Sequence, residues 1–371
     1  MNTVFDVAVI GAGSTGATIA AMLAERQIKV ILLEKALPAS TGASAWSGGI
    51  FRQYEPDLAL LALARLVPGS AVVTRAMQES RLKTGVEIQL TSAQYQHFRS
   101  QLSGSALFSE EERKQILAGL VPLSETGDVL RLKDCEGGFS AVRKYVTDLC
   151  SYVREHAVVL ERTEISKVEF FADHIHLHGD LSVIRARFVV DACGAGGPFE
   201  RSLEGIYART VPFSRVYLDR APERPVISYP ASTYVLPLSK TLIQIGGSER
   251  HSASSLNGLP RTGQDSETLL RQKLDDTGID TRGFQLLQQV VSWDSWTRDG
   301  RPVIGFSQSQ PRVMTVSGFN GVGFKLSPGA AMIAVNQILD GLNDVSQPNQ
   351  FRDLATLFTP GRFARTEGIC V

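Results

Sequence analysis

The chain opens on a near-continuous apolar run, Phe5–Ile10. Such a run suits a strand buried on both faces of a parallel sheet better than a half-exposed one. Ile19, Met22 and Leu23 then recur at helical spacing within Thr18–Arg26, and Lys29–Leu33 is again of β type. Strand, helix and strand make one βαβ-type unit of about thirty residues. Further on, Val86–Leu90 has strand character. A helix is predicted over Phe108–Leu120, where Ser109 and Glu112 form a capping box ahead of Ile116, Leu117 and Leu120. Gly137-Gly138 opens a helical stretch, Ser140–His156. Gly179-Asp180 sits between two β-rich runs and predicts a hairpin within Leu177–Val190. Residues 206–245 are strand-rich, and Gly246–Gly263 reads as a polar loop. A helix over Ser266–Thr277, strands at Val303–Ile304 and Val313–Ser317, and a helix from about Ser327 to Leu342 complete the pattern.

Elements of dinucleotide-fold type therefore stand at both ends, with β-rich material between. The expected fold class is α/β. A Rossmann-like domain would be built from residues 1–83, 136–205 and 299–371. An interleaved α+β domain on a mainly antiparallel sheet would take residues 84–135 and 206–298. A length of 371 residues fits about two domains.

Charge narrows the partners. Lys+Arg and Asp+Glu both number 38, so nucleic acid or an anionic membrane has no electrostatic footprint to meet. Four cysteines, Cys135, Cys150, Cys193 and Cys370, form no CxxC and no disulfide framework, which favours a reducing compartment. Neither a signal peptide nor a membrane span is expected, and a cytoplasmic location follows. Cys370 stands second from the end, out of place for a prenylation box.

Three glycine-rich turns carry the chemistry. Gly11-Ala-Gly13-Ser14-Thr15-Gly16 lies between the first strand and helix. Gly11 permits the tight turn, Gly13 lets backbone approach a pyrophosphate, and Gly16 lets helix and strand pack closely. The helix N-terminus presents free N–H groups to phosphates. Glu34, followed by Lys35, ends the second strand, where an acid accepts ribose hydroxyls. This turn fits FAD and NAD equally. The second, Val189–Gly196, runs from a strand into Cys193 and Gly194. Alone it reads equally as a tight turn, with Cys193 a small buried filler. The third comprises Thr297–Gly305, with Gly300, and then Val316–Pro328, with Gly321-Val322-Gly323-Phe324-Lys325 leading into a helix.

Together with the segment Thr41–Arg52 and Glu136-Gly-Gly-Phe139, these turns resemble the D-amino-acid oxidase, glycine oxidase and sarcosine oxidase family of flavoproteins. The likeness spans most of the chain. It implies a two-dinucleotide-fold FAD domain with a β-sheet domain over the flavin. FAD would be noncovalent, since Ser292–Trp296 lacks the cysteine of covalent members. Beyond the first turn, Ser44, Ala45, Ser47, Gly48, Gly49, Cys193, Gly194, Gly300 and Gly321–Lys325 would hold it. The implied reaction moves hydride from the carbon next to an amine to flavin N5 and gives an imine. Arg52 and Lys325 match carboxylate-binding cations of family members. The alternative is that Arg52 pairs with a protein acid and Lys325 snorkels to solvent. Asp294 stands near a substrate-binding arginine of glycine-oxidase-like members and would meet an ammonium. Gln244 stands where sarcosine oxidases place an oxygen-activating lysine, so oxygen and another electron acceptor both stay open. The resemblance also leaves open a dehydrogenase serving a quinone or protein partner, a flavoprotein subunit for assembly or electron transfer, and self- or hetero-oligomers. An NAD-dependent dehydrogenase is disfavoured by the second and third turns.

Trp46, Trp293 and Trp296 are candidates for the substrate cavity or for core. His174, His176 and His178 alternate along a predicted strand. They read as a solvated face, because no Cys, Asp or Glu completes a compelling site, and no metal is expected.

Overall fold

The computed structural model describes residues 3–180, 182–199, 205–247, 250–260, 265–343 and 351–363. Cys370 and the apolar tail around it lie outside them. β1 (Val4–Ile10) is central to an eight-stranded sheet. It pairs in parallel with Val183–Asp191 on one side and with β2 (Val30–Leu33) on the other. Val158–Leu160 extends the parallel run beyond β2, and Val313–Ser317 extends it beyond Val183–Asp191. Val303–Phe306 closes that edge antiparallel. Alternate residues of β1 enter different apolar clusters, Val7 and Val9 in one, Phe5, Ala8 and Ile10 in the other. That two-sided burial is why the run lacks polar alternation.

Between β1 and β2 the chain forms α1 (Ser14–Glu25), buried from Ser14 through Ala24. It packs against the helices Val142–His156 and Gly323–Asn343. An all-round apolar surface on a twelve-residue helix marks one covered on several sides.

The second sheet has nine strands and is antiparallel except where Val226–Ser228 meets Val86–Thr91. Its path runs Ser252–Ala253, Ile206–Tyr217, Leu242–Gly246, Thr233–Pro237, Val226–Ser228, Val86–Thr91, Val129–Asp134, Leu120–Thr126. Gln285–Thr297 pairs with Ile206–Tyr217 along nearly its whole length, with one register shift between Arg215 and Val216. Strands from two separate stretches of chain thus alternate with strands of the first sheet. The fold is the expected α/β class with a second, mainly antiparallel sheet.

Several elements differ from the sequence pattern. The capping box at Ser109 and Glu112 is present, on a helix Glu110–Ala118. The hairpin at Gly179 pairs Ile175–His178 with Val183–Asp191. The late helix begins at Gly323, a full turn before Ser327, and carries Pro328 inside it. At the sixth position of this helix proline forgoes the bond that an N–H would make to the Phe324 carbonyl. Gln285–Thr297 was not expected as a strand, because its first half exposes Gln285, Leu287 and Gln288 without clear alternation. Within the 246–263 loop, Ser252–Ala253 is a short strand and Leu256–Gly258 a 3-10 turn.

Candidate active site

A cavity of about 810 Å3 runs between the two sheets, near the upper end of the usual ~300–1,000 Å3 for small-molecule sites. One end is built by the β1–α1 turn. Gly11 has φ +101°, and a Cβ there would lie 2.7 Å from the Ala192 carbonyl oxygen. A Cβ on Gly16 would lie 1.9 Å from the Gly11 oxygen. Backbone contact therefore excludes any side chain at both positions. α1 starts at Gly13 with no side-chain cap and no acid in its first turn. Ser14 N–H donates to Ser44 Oγ at 2.9 Å, and the Ser14 and Thr15 hydroxyls meet Ser327 Oγ at 3.0 and 2.9 Å. This bare, glycine-lined helix start is a cradle for an anion.

Glu34 is buried at the same end. Its Oε2 accepts from Ala12 N–H at 2.8 Å and its Oε1 from Ala36 N–H at 3.0 Å. The carboxylate thus ties the turn after β1 to the turn after β2 and still faces the cavity. Lys35 is exposed beside it, while Cys193 and Gly194 form the adjoining wall. Cys193 Sγ lies 3.3 Å from the Ile10 carbonyl oxygen.

α2 (Gly42–Trp46) and the extended residues after it form another wall. Ser44, Trp46, Ser47, Gly48 and Gly49 line the cavity. Ala45 does not; it is buried, and its carbonyl accepts two bonds from Arg143, at 3.2 and 3.1 Å. Gly300 is also away from the lining, in the turn before Val303–Phe306, where φ +76° suits glycine.

The far wall is the turn Gly318–Gly323 and the helix it opens. Side chains of the Gln285–Thr297 strand bolt it in place. Asp294 Oδ2 accepts from Gly321 N–H at 2.9 Å, and Ser295 Oγ accepts from Gly318 N–H at 2.9 Å. Asn320, at φ +56°, accepts from Thr297 N–H at 2.9 Å. Asp294 also accepts from Ser295 N–H. Burial lifts its pKa to about 6, against these backbone bonds. Trp293 and Trp296 line the cavity with it. Trp296 Nε1 is buried without a hydrogen-bond partner among the described residues.

Arg52 and Lys325 converge on one acid that sequence reading missed. Glu55, buried at 7% exposure, accepts from Arg52 Nη2 at 3.3 Å and from Lys325 Nζ. Tyr229 OH lies 3.3 Å from the same Arg52 nitrogen. Asp134, fully buried, takes the backbone N–H groups of Gln53 and Tyr54 and so fixes the segment carrying Arg52. Burial acts to lower the Arg52 pKa, but Tyr229 and Glu55 outweigh it and keep the guanidinium protonated. Burial lowers Lys325 to about 8, helped by the Arg52 charge and opposed by Glu55. Arg52 does pair with a protein acid, but Lys325 is 4% exposed and does not snorkel. Asp134 lies near enough to act on both cations as well, so two cations face two buried acids.

Gln244 is buried behind this wall, its Nε2 donating to Tyr234 OH at 2.9 Å. Tyr234 lines the cavity. Glu55, Asp134, Tyr229 and Tyr234 belong to no motif. Asp134, Tyr229 and Tyr234 meet Arg52 and Gln244 through tertiary packing, and Glu55 meets Arg52 from three residues on in the same segment.

The glycine cradle, the bare helix start, buried Glu34 and the second turn at Cys193–Gly194 fit a dinucleotide cofactor. Comparison with known proteins agrees. The family described as "FAD dependent oxidoreductase" (DAO) matches residues 6–337. No curated protein matches the chain. Among solved structures, L-proline dehydrogenase from P. horikoshii superposes with TM-score 0.76 at 19% identity, over 98% of this chain and 99% of that one. Glycine oxidase from Geobacillus kaustophilus gives 0.69 at 17%, over 95% and 98%. Iminodiacetate oxidase from Chelativorans sp. BNC1 gives 0.71 at 14%, over 95% and 98%. At these identities the likeness concerns the fold.

Proposed function

We propose, for a chain that belongs to the FAD-dependent oxidoreductase family, that it oxidises a small amine bearing a carboxylate and passes the electrons to an acceptor other than oxygen. The observation that carries this reading is the buried Arg52–Glu55–Lys325 cluster, in which both cations line the cavity and Glu55 does not. A carboxylate is the anion that a planar guanidinium and an ammonium together fit. Names of structural neighbours, a proline dehydrogenase, a glycine oxidase and an iminodiacetate oxidase, point to the same substrate class.

FAD would be held noncovalently. Gly11–Thr15 would take the diphosphate, Glu34 the ribose, and Gly321–Lys325 the flavin edge. When bound, FAD supplies a two-electron acceptor for the hydride on the carbon next to nitrogen. The chain's own residues have a simpler task. Arg52 and Lys325 anchor the carboxylate, and this fixes which C–H faces the cofactor. Asp294, ionised above pH about 6, lines the same cavity and offers a second acceptor for the amine. Trp46 and Trp293 restrict water around the reacting carbon. The acceptor assignment rests on Gln244: it is buried, neutral and held by Tyr234, at the position where an oxygen-activating lysine would stand.

The test is anaerobic bleaching of the flavin band by a panel of glycine, sarcosine, proline and D- and L-amino acids. Bleaching by a carboxylated amine, weakened in Arg52→Gln and Lys325→Met, is the expected result. Bleaching only by amines without a carboxylate would overturn the reading. Fast reoxidation by air would overturn the acceptor assignment alone.

A further inference from the structure

Outside the cavity lining, the hairpin of Lys167–Phe170 and Ile175–His178 holds half of the chain's six histidines. Side chains alternate across a strand, so His176 and His178 share one face with His174 just ahead of them. Ile175 and Leu177 point the other way into an apolar cluster with Ile165, Ile184 and Ala186. That burial fixes the register and commits the histidines to the open face.

The missing acid comes from the neighbouring strand. Glu169 is the direct antiparallel partner of His176. Its Oε2 lies 2.7 Å from His178 Nε2. The ligand atoms of Glu169, His176 and His178 all lie within 4.8 Å of one another, and all three residues are half-buried. A tetrahedral ion with Zn–N and Zn–O bonds near 2.1 Å places its ligand atoms about 3.4 Å apart, so side-chain rotations suffice. A fourth ligand is already aimed at the group. His174 Nε2 lies 2.8 Å from His176 Nε2, and its Nδ1 lies 2.6 Å from Asp173 Oδ1. Two ring nitrogens at that distance must share a proton, and a metal ion would replace it. A carboxylate on the far nitrogen of a ligating histidine is the usual outer-sphere support. Lys167, on Glu169, and Arg185, opposite His176, are cations at the rim.

We infer that Glu169, His176 and His178, with His174 backed by Asp173, form a binding site for a divalent first-row transition ion such as Zn2+. Three imidazoles and one carboxylate are the donor set such ions take, whereas Mg2+ and Ca2+ prefer all-oxygen sets. The ion would clasp two antiparallel strands at the sheet margin. Its effect falls on stability and leaves amine oxidation unchanged.

ZnCl2 titrated into the FAD-loaded full chain by isothermal titration calorimetry should show about one equivalent bound with micromolar or tighter affinity, and a raised Tm. Affinity should fall about 10- to 100-fold in His176→Ala, His178→Ala and Glu169→Gln. His156→Ala, outside the hairpin, should bind as the parent does. Each variant should keep its flavin spectrum, which reports an intact fold. Absence of saturable binding in the parent would overturn the inference, as would equal binding in a His176→Ala/His178→Ala chain or equal weakening by His156→Ala.

Discussion

Two glycine-rich turns line the cavity, and they are built on different principles. The Gly11–Gly16 turn is closed mainly by main-chain packing: a Cβ on Gly16 or Gly11 would meet the Gly11 or Ala192 carbonyl, while the Glu34 and Ser44 side chains take the Ala12 and Ser14 N–H groups. The Gly318–Gly323 turn is held by groups borrowed from a strand of the other sheet, the Asp294 and Ser295 side chains and the Thr297 N–H. Contact there differs between glycines: a Cβ on Gly318 would lie 2.5 Å from Thr297 Cγ2, whereas one on Gly321 would meet only the Trp296 ring, at 3.6 Å. Main-chain atoms cannot give way, so the first turn tolerates no side chain at Gly11 or Gly16. The borrowed turn is tunable at Gly321, and it leads directly into Lys325.

The sharpest way to break this contrast is Gly16→Ala. The added Cβ overlaps the Gly11 oxygen at 1.9 Å, and a main-chain atom cannot rotate aside. We expect a loss of about 3 kcal/mol or more and purified protein without a flavin spectrum. In the borrowed turn, Lys325→Met should instead retain FAD and lower kcat/KM for a carboxylated amine about 10- to 100-fold, since one charged hydrogen bond is lost. An effect on FAD content equal to that on kcat/KM would remove the distinction. The pH profile sharpens it further. Lys325 is lowered from 10.5 to about 8, so carboxylate binding is full below that value and lost as pH rises through it. Between pH 7 and 9, kcat/KM should fall about tenfold, and Lys325→Met should flatten the fall. Asp294→Asn removes one acceptor from a backbone N–H, and FAD affinity should weaken about fivefold, corresponding to about 1 kcal/mol, read by flavin fluorescence. Gly321→Ala should cost least, about 1 kcal/mol for φ +81°, seen as a few degrees in Tm.

The same contrast explains what the sequence disclosed. The first turn is legible because its main parts lie within Val4–Glu34, namely apolar strand, glycines, helix and terminal acid; its contacts with Ser44, Ala192 and Ser327 are not. The third turn is only half legible. Its glycines and Lys325 stand in a recognisable run, but its supports lie on Gln285–Thr297, whose glutamines and serines hide a strand. Glu55 is less legible still. Nothing near it in sequence distinguishes it from a surface acid, and only the convergence of residues 52, 55, 229 and 325 gives it a role. Glu169 repeats the lesson, because the strand pairing, rather than spacing, brings it beside the histidines.

The strand order of the first sheet also sets a timetable for biosynthesis. The parallel partner of β1, Val183–Asp191, is synthesised some 180 residues after it, and the next strand, Val313–Ser317, later again. Cavity residues continue to Lys325. Pairings this remote in sequence form slowly and close late. Cofactor capture therefore waits until Lys325 has emerged, and the earlier β1–α1–β2 unit must survive until then with its apolar strand faces uncovered.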